Sequence, residues 1–149
     1  MQARELMKTH VVKTMPQATL AEAVDLMDLY QVNSMPVIDA DGRLCGIVAE
    51  QDIFAAARLL IMNAAADGPS PGDEDLASST ASIPVAKVMR RPVLSVSEDS
   101  DVREAARLFL VNDFTRLPVL SADGDVVGTI NRVDILQGAF EGVLPAAGD

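Results

Sequence analysis

The chain offers little with which to build a nucleophile or a metal site. His10 and Cys45 are the only histidine and the only cysteine among its 149 residues, and nothing in their spacing pairs them as base and nucleophile. A Gly-x-Ser-x-Gly elbow and a phosphate-binding P-loop are both absent. Carboxylates are plentiful, 22 in all, but no pair stands out for acid–base work, so no enzyme is expected. A zinc site would have to lean on those carboxylates, and no ligand spacing suggests one. Asp73, Glu74 and Asp75 cluster without EF-hand spacing and read as part of a solvated connector. The formal net charge of −10 argues against nucleic acid, whose backbone is held by dense Lys/Arg patches. What does recur is one aspartate in one setting. Asp52 closes Gly46-Ile-Val-Ala-Glu-Gln-Asp-Ile53, and Asp134 closes Gly128-Thr-Ile-Asn-Arg-Val-Asp-Ile135. In the first turn of a helix either carboxylate would favour the positive end by about 0.3–1 kcal/mol.

The two aspartates belong to a longer repeat. Met35–Phe54 matches Leu117–Leu136 at an offset of 82, and the register holds upstream. Met7 pairs with Met89, Val11 with Val93, Glu22 with Glu104, Ala23 with Ala105 and Leu26 with Leu108. Each copy reads as β-α-β-β-α. Val11–Thr14 and Val93–Val96 are β-branched and predict strands. Apolar residues at helical spacing predict helices over Leu20–Gln31 and Val102–Asn112. Thr19 with Glu22, and Asp101 with Glu104, mark box-like helix starts. A strand then runs to Asp39 or Ser121. Asp41-Gly42 and Asp123-Gly124 supply hairpin turns, with return strands at Leu44–Val48 and Val126–Ile130. Closing helices start near Glu50 and Arg132. The division is a first motif over 1–62, an acidic Pro/Gly/Ser-rich linker over 63–83, a second motif over 84–142 and a flexible tail over 143–149.

With four Phe, one Tyr and no Trp, the core must be aliphatic. The opening residues do not resemble a secretory leader. The longest apolar stretch, 53–66, is too short to span a bilayer and contains Arg58 and Asn63. A lone cysteine forms no intramolecular disulfide. The expectation is a cytoplasmic protein that contacts neither membrane nor nucleic acid.

These residues resemble a pair of cystathionine-β-synthase-type (CBS) domains, the Bateman module. The marks are Leu6-Met7 and Val88-Met89, Met35-Pro-Val and Leu117-Pro-Val, the Asp-Gly hairpins and the two aspartate endings. The resemblance runs from Ala3 to Phe140, leaving out the connector and the tail. It implies an α/β fold of two β-α-β-β-α motifs related by a pseudo-twofold and packed sheet to sheet. It also implies clefts that hold AMP, ADP, ATP or S-adenosylmethionine. Such modules dimerise, sense their ligand and do not catalyse. An adenine nucleotide would be a regulatory ligand, with no obligatory cofactor. The output would reach a separate effector protein or the chain's own assembly state. The alternative is a degenerate pair that serves only as an oligomerisation scaffold.

The resemblance assigns residues to two sites. Asp134 and Asp52 would receive the ribose hydroxyls, an ionised carboxylate accepting both donors of a cis-diol. Three residues earlier, where the family has Ser or Thr, this sequence has Asn131 and Ala49. Asn131 can still donate through its amide, whereas Ala49 offers only backbone. Arg132 follows as a phosphate partner. The adenine would lie against Val93, Leu94, Phe114, Thr115, Arg116 and Pro118 in the second site. In the first site it would meet Val11, Val12, Val32, Asn33, Ser34 and Pro36. Arg90, Arg91, Arg116 and Arg132 of the second copy, and Lys8, His10 and Lys13 of the first, are expected at equivalent edges as a basic mouth. A ligand of low charge, AMP or S-adenosylmethionine, suits the acidic body better than ATP. Leu59–Met62 and the closing helix Val133–Phe140 carry more apolar surface than one face needs and are expected at a homodimer interface.

Overall fold

The computed structural model describes residues 1–66, 72–91 and 93–142. In chain order its elements are helix α1 (Ala3–Leu6), α2 (Leu20–Tyr30), strands β1 (Ser34–Ile38) and β2 (Leu44–Ala49), α3 (Glu50–Ala56), α4 (Arg58–Ala64) and α5 (Asp73–Ala81). A 3-10 turn at Val85–Lys87 leads to β3 (Val96–Ser97), α6 (Val102–Val111), β4 (Arg116–Leu120), β5 (Val126–Asn131) and α7 (Arg132–Phe140). The β-α-β-β-α order read from the sequence is present, with one reduction. Only Val96 of the expected strand 93–96 enters β3, and Val11–Thr14 contributes a single parallel bridge, Thr14 to Val37. The neighbouring strand explains this. Pro36 and Pro118 have no N–H to donate, so a chain running beside them can keep few ladder bonds. Thr14 N–H donates to the Pro36 carbonyl at 3.1 Å, and Ile38 N–H donates to the Thr14 carbonyl at 2.9 Å. The equivalent β3 pairs parallel with β4 through Val96–Val119 and Ser97–Leu120.

Two compact units result, and neither coincides with a sequence motif. One gathers Met1–Val11, Asp41–Leu44 and Val93–Asp149; the other gathers Val12–Ala40 and Cys45–Pro92. The leading segment of each motif has gone to the unit that holds the body of the other. Backbone bonds fix it there. In one unit Ala3 N–H donates to the Ser100 carbonyl at 2.8 Å and Val102 N–H to the Met1 carbonyl at 2.9 Å. In the other, Val85 N–H donates to the Ala18 carbonyl at 2.7 Å and Leu20 N–H to the Ile83 carbonyl at 2.9 Å. The cores follow the same exchange. Ala3 is buried with Val96, Ala105, Leu117, Val119 and Ile130. Val85, its equivalent in the repeat, is buried with Leu20, Met27, Met35, Val37, Val48 and Ile53. As expected, both cores are aliphatic.

Helix ends show how local chemistry chooses among partners. Thr19 Oγ1 accepts from Glu22 N–H at 3.2 Å, the first half of the expected box. Asp101 instead accepts from Arg103 N–H at 2.9 Å and pairs with the Arg103 guanidinium at 2.7 Å. The nearby cation draws that carboxylate away from Glu104 N–H. Gln31, expected as the last residue of α2, is its left-handed cap at φ 53°. Most of the segment read as a linker is ordered: α4 continues to Ala64, and α5 occupies Asp73–Ala81. The acidic trio forms the first turn of α5, where carboxylates favour the positive end of a helix; the rest of that helix, Leu76–Ala81, contains neither Pro nor Gly. The expected flexible tail, 143–149, lies outside the described residues.

The leading segments dock against glycines. A Cβ on Gly46 would lie 2.5 Å from Met89 Sδ, and its three nearest neighbours would all belong to that side chain. A Cβ on Gly128 would lie 2.5 Å from Met7 Sδ and also 2.9 Å from the Lys8 carbonyl oxygen. Backbone cannot swing aside as a methionine can. Gly128→Ala is therefore expected to cost about 1–3 kcal/mol, and Gly46→Ala less, in urea denaturation of the two variants side by side.

Candidate functional site

Asp134 is 2% exposed, and its burial has to be balanced. It sits in the first turn of α7, locked in a reciprocal box with Asn131. Asp134 N–H donates to Asn131 Oδ1 at 2.9 Å, and Asn131 N–H donates to Asp134 Oδ2 at 3.0 Å. Asn131 can adopt this cap because β5 delivers it extended, at φ −118° and ψ 174°. The other oxygen, Oδ1, faces Lys8 Nζ at 3.4 Å. Lys8 arrives from the leading segment by two backbone bonds. Its N–H donates to the Thr129 carbonyl at 2.8 Å, and Thr129 N–H donates back at 3.0 Å. Beside them Arg116 Nη1 donates to the buried Thr129 Oγ1 at 3.5 Å, while the buried Arg116 Nε has no hydrogen-bond acceptor among the described residues. Burial pushes the Arg116 guanidinium below its ordinary value, and the Asp134 carboxylate opposes that shift. One carboxylate thus stands among two cations and a hydroxyl, a setting for a ligand with both diol and anionic groups.

The other unit repeats the frame with different side chains. Asp52 lies in the first turn of α3, and Ala49 N–H donates to its Oδ2 at 3.1 Å. Arg90, the repeat equivalent of Lys8, donates from Nε to Asp52 Oδ1 at 2.8 Å. Its backbone is joined to Ile47 by the same two-bond bridge, at 2.8 and 3.2 Å. Where the first-described site has Asn131, Arg116 and Thr129, this one has Ala49, Ser34 and Ile47. Among the described residues it has no side-chain cap, and Arg90 is the cation paired with the carboxylate.

The structure distributes the remaining expected site residues unevenly. Val93, Leu94, Phe114, Thr115, Arg116, Pro118, Asn131, Arg132 and Asp134 share one unit. Of the other set, Val12, Val32, Asn33, Ser34, Pro36, Ala49 and Asp52 share the second unit, but Val11 belongs to the first. Pro36, Pro118 and Ser34 are buried, and Val12 is part of a core. Phe114 packs on Phe109 with ring centroids 4.9 Å apart. Leu94 is exposed. Asn33 uses its carbonyl to accept from Glu50 N–H at 2.9 Å. The Arg132 guanidinium reaches the fully exposed Asp113 at 3.5 Å, a contact worth little in water. The basic residues sort between the units differently from their order in the repeat. Lys8 joins Arg116 and Arg132, whereas Arg90 and Arg91 sort with the first aspartate, because the leading segments are exchanged. Thr129 was missed: at sequence level it reads as a strand residue. Cys45 is no activated nucleophile. Burial pushes its thiol up, against Arg91 and with Asp39, and Sγ donates to the Val37 carbonyl at 3.3 Å.

A family model described as "CBS domain" matches the chain twice, over residues 3–59 and 85–141. The chain belongs to the CBS-domain family. As a CBS pair it is 31% identical over 134 residues to an uncharacterised 17.7 kDa protein of Acidianus ambivalens, covering 90% of this chain and 69% of that one. It is 30% identical to the chloroplastic CBS domain-containing protein CBSX1 of Arabidopsis thaliana, over 89% of this chain. The chain spans only 59% of the length of that relative. Among solved structures, CBSX2 in complex with AMP superposes with a TM-score of 0.71 at 28% identity, covering 96% of this chain and 98% of that one.

The unequal caps give a stability test. Ala49 holds φ −116° and ψ 157°, close to the Asn131 backbone. Ala49→Asn is expected to add a side-chain cap to α3 and stabilise by about 0.5–2 kcal/mol, and Asn131→Ala to lose a similar amount, both read by urea unfolding.

Proposed function

We propose that this CBS pair is a regulatory module that binds an adenine nucleotide at the Asp134 site. The observation that carries the reading is the buried, box-held Asp134 carboxylate with Lys8 and Arg116 beside it. In this reading the carboxylate receives the ribose cis-diol, Asn131 donates through Nδ2, and Arg116 and Arg132 meet the phosphate. Leu94 and the strand edge at Val93 flank the base, with Phe114 and Thr115 behind. The AMP complex of CBSX2 supports the ligand class, and the modest number of cations favours AMP over ATP. The module acts in the cytoplasm on a separate effector or through its own assembly. No helix among the described residues is long and apolar enough to cross a membrane. A bound ligand shifts the population only by its differential affinity for two states.

Self-association is proposed at the exposed apolar faces. Leu59 and Met62 lie three apart on α4, and Val133, Leu136 and Phe140 are exposed on α7. The double substitution Leu59→Glu, Met62→Glu is expected to shift sedimentation from dimer to monomer. An unchanged sedimentation coefficient would move the interface elsewhere.

The nucleotide reading is tested by thermal shift with AMP, ADP, ATP, GTP and S-adenosylmethionine. A ligand at 100 times its Kd adds about 2.7 kcal/mol, a rise of several degrees for a chain of this size. The rise is expected with an adenine ligand, lost in Asp134→Ala and kept in Asp52→Ala. If nothing moves the melting point, the scaffold reading replaces it. The hold of the Arg90 Nε on Asp52 and the lack of any side-chain donor at Ala49 already lean that way for the other site.

A further inference from the structure

Both carboxylate oxygens of Asp134 are engaged before any ligand arrives. Oδ2 holds the Asn131 N–H, which cannot leave without unwinding the start of α7, so only Oδ1 can be cleared. The group on Oδ1 is Lys8 Nζ, at 3.4 Å, on a side chain 63% exposed. A diol hydroxyl that donates to Oδ1 therefore competes with the ammonium for the charge on that oxygen. We infer that Lys8 changes partner on binding, moving from the Asp134 carboxylate to the phosphate of the incoming nucleotide. This rests on the Asp134 reading and adds to it a ligand requirement. A phosphorylated nucleoside supplies a new anion for the displaced ammonium, whereas an uncharged nucleoside leaves Lys8 without a partner and must break the ion pair unaided.

The chemistry of lysine suits this role. Its ammonium is a compact point charge on a flexible stem and can swing between two anions on a fixed backbone. The backbone here is fixed by the two-bond bridge to Thr129. The other unit supplies the internal contrast. Arg90 at the equivalent position is held to Asp52 through Nε at 2.8 Å. Nε lies at the stem of the guanidinium, so the contact cannot break by rotation of the tip alone. The same frame therefore carries an exchangeable cation at one aspartate and a fixed one at the other.

The test is isothermal titration of AMP and of adenosine into the wild-type chain, Lys8→Met, Lys8→Arg and Asp134→Ala. The wild type is expected to bind AMP more tightly than adenosine. Lys8→Met frees Oδ1 and removes the phosphate partner, so adenosine affinity should rise and AMP affinity fall. The ratio of the two should narrow by about tenfold, the worth of one charge-assisted contact. Lys8→Arg, which imitates the Arg90 lock, should weaken both ligands. If AMP binds the wild type and fails with Asp134→Ala, yet Lys8→Met leaves the AMP-to-adenosine ratio unchanged, the exchange is wrong and the nucleotide site stands. If neither ligand binds the wild type, both readings fall. Thermal melts of each variant separate a folding defect from a lost contact.

Discussion

A buried carboxylate needs a counter-charge, and much of the local structure around Asp134 follows from how one is delivered. An ion of that size loses several kcal/mol of hydration on burial, which a fixed N–H and a nearby ammonium offset only if both are held in place. The Asn131 box supplies the first. The second comes from residue 8, far away in the chain, through two backbone bonds to Thr129. Those bonds require the two strands of chain to approach closely. Gly128 permits this because Met7 Sδ fills the space its side chain would take. The glycine, the methionine and the lysine act as one device. Gly46, Met89 and Arg90 form the same device around Asp52.

Duplication made two such frames, and substitution then separated them. Backbone geometry at the equivalent positions is nearly unchanged, as the extended dihedrals of Ala49 and Asn131 show. The differences lie in side chains that carry a donor, an acceptor or a charge: Asn131 against Ala49, Arg116 against Ser34, Thr129 against Ile47, Lys8 against Arg90. The Asp134 frame carries the additional cation and the hydroxyl. Its Arg116 guanidinium, whose buried Nε has no acceptor among the described residues, is costly to keep in a merely structural role. Both aspartates have each oxygen taken by a protein group, but at Asp52 the cation is held through the Arg90 Nε.

Two misreadings of the chain share one cause. The first strands shrank because Pro36 and Pro118 deny their neighbour a donor, an effect that appears only once the strands are known to be adjacent. The expected grouping of basic residues changed because Arg90 and Lys8 were assigned to the motif in which they occur. In both cases a residue was judged by its sequence neighbours, whereas its energetics were set by a remote segment. The helix over Asp73–Ala81 is a different matter. The acidic trio that suggested a solvated connector is equally a good first turn, and composition alone could not choose.

From the sequence alone came the repeat at 82 residues, the hairpin turns, the spans of α2 and α6 to within a residue, the starts of α3 and α7, and the pairing of Asp52 with Asp134 as equivalents. These are legible because apolar period, Asp-Gly turns and cap residues are local quantities, written twice. Tertiary structure alone decided that each leading segment joins the unit holding the other motif's body. It therefore decided which cation meets which aspartate. The repeat cannot encode that choice: Ala3 and Val85, or Lys8 and Arg90, present nearly the same apolar and basic pattern to either receiving core. The pairing is settled where Met7 lies on Gly128 and Met89 on Gly46, by packing and backbone bonds that have no signature along the chain.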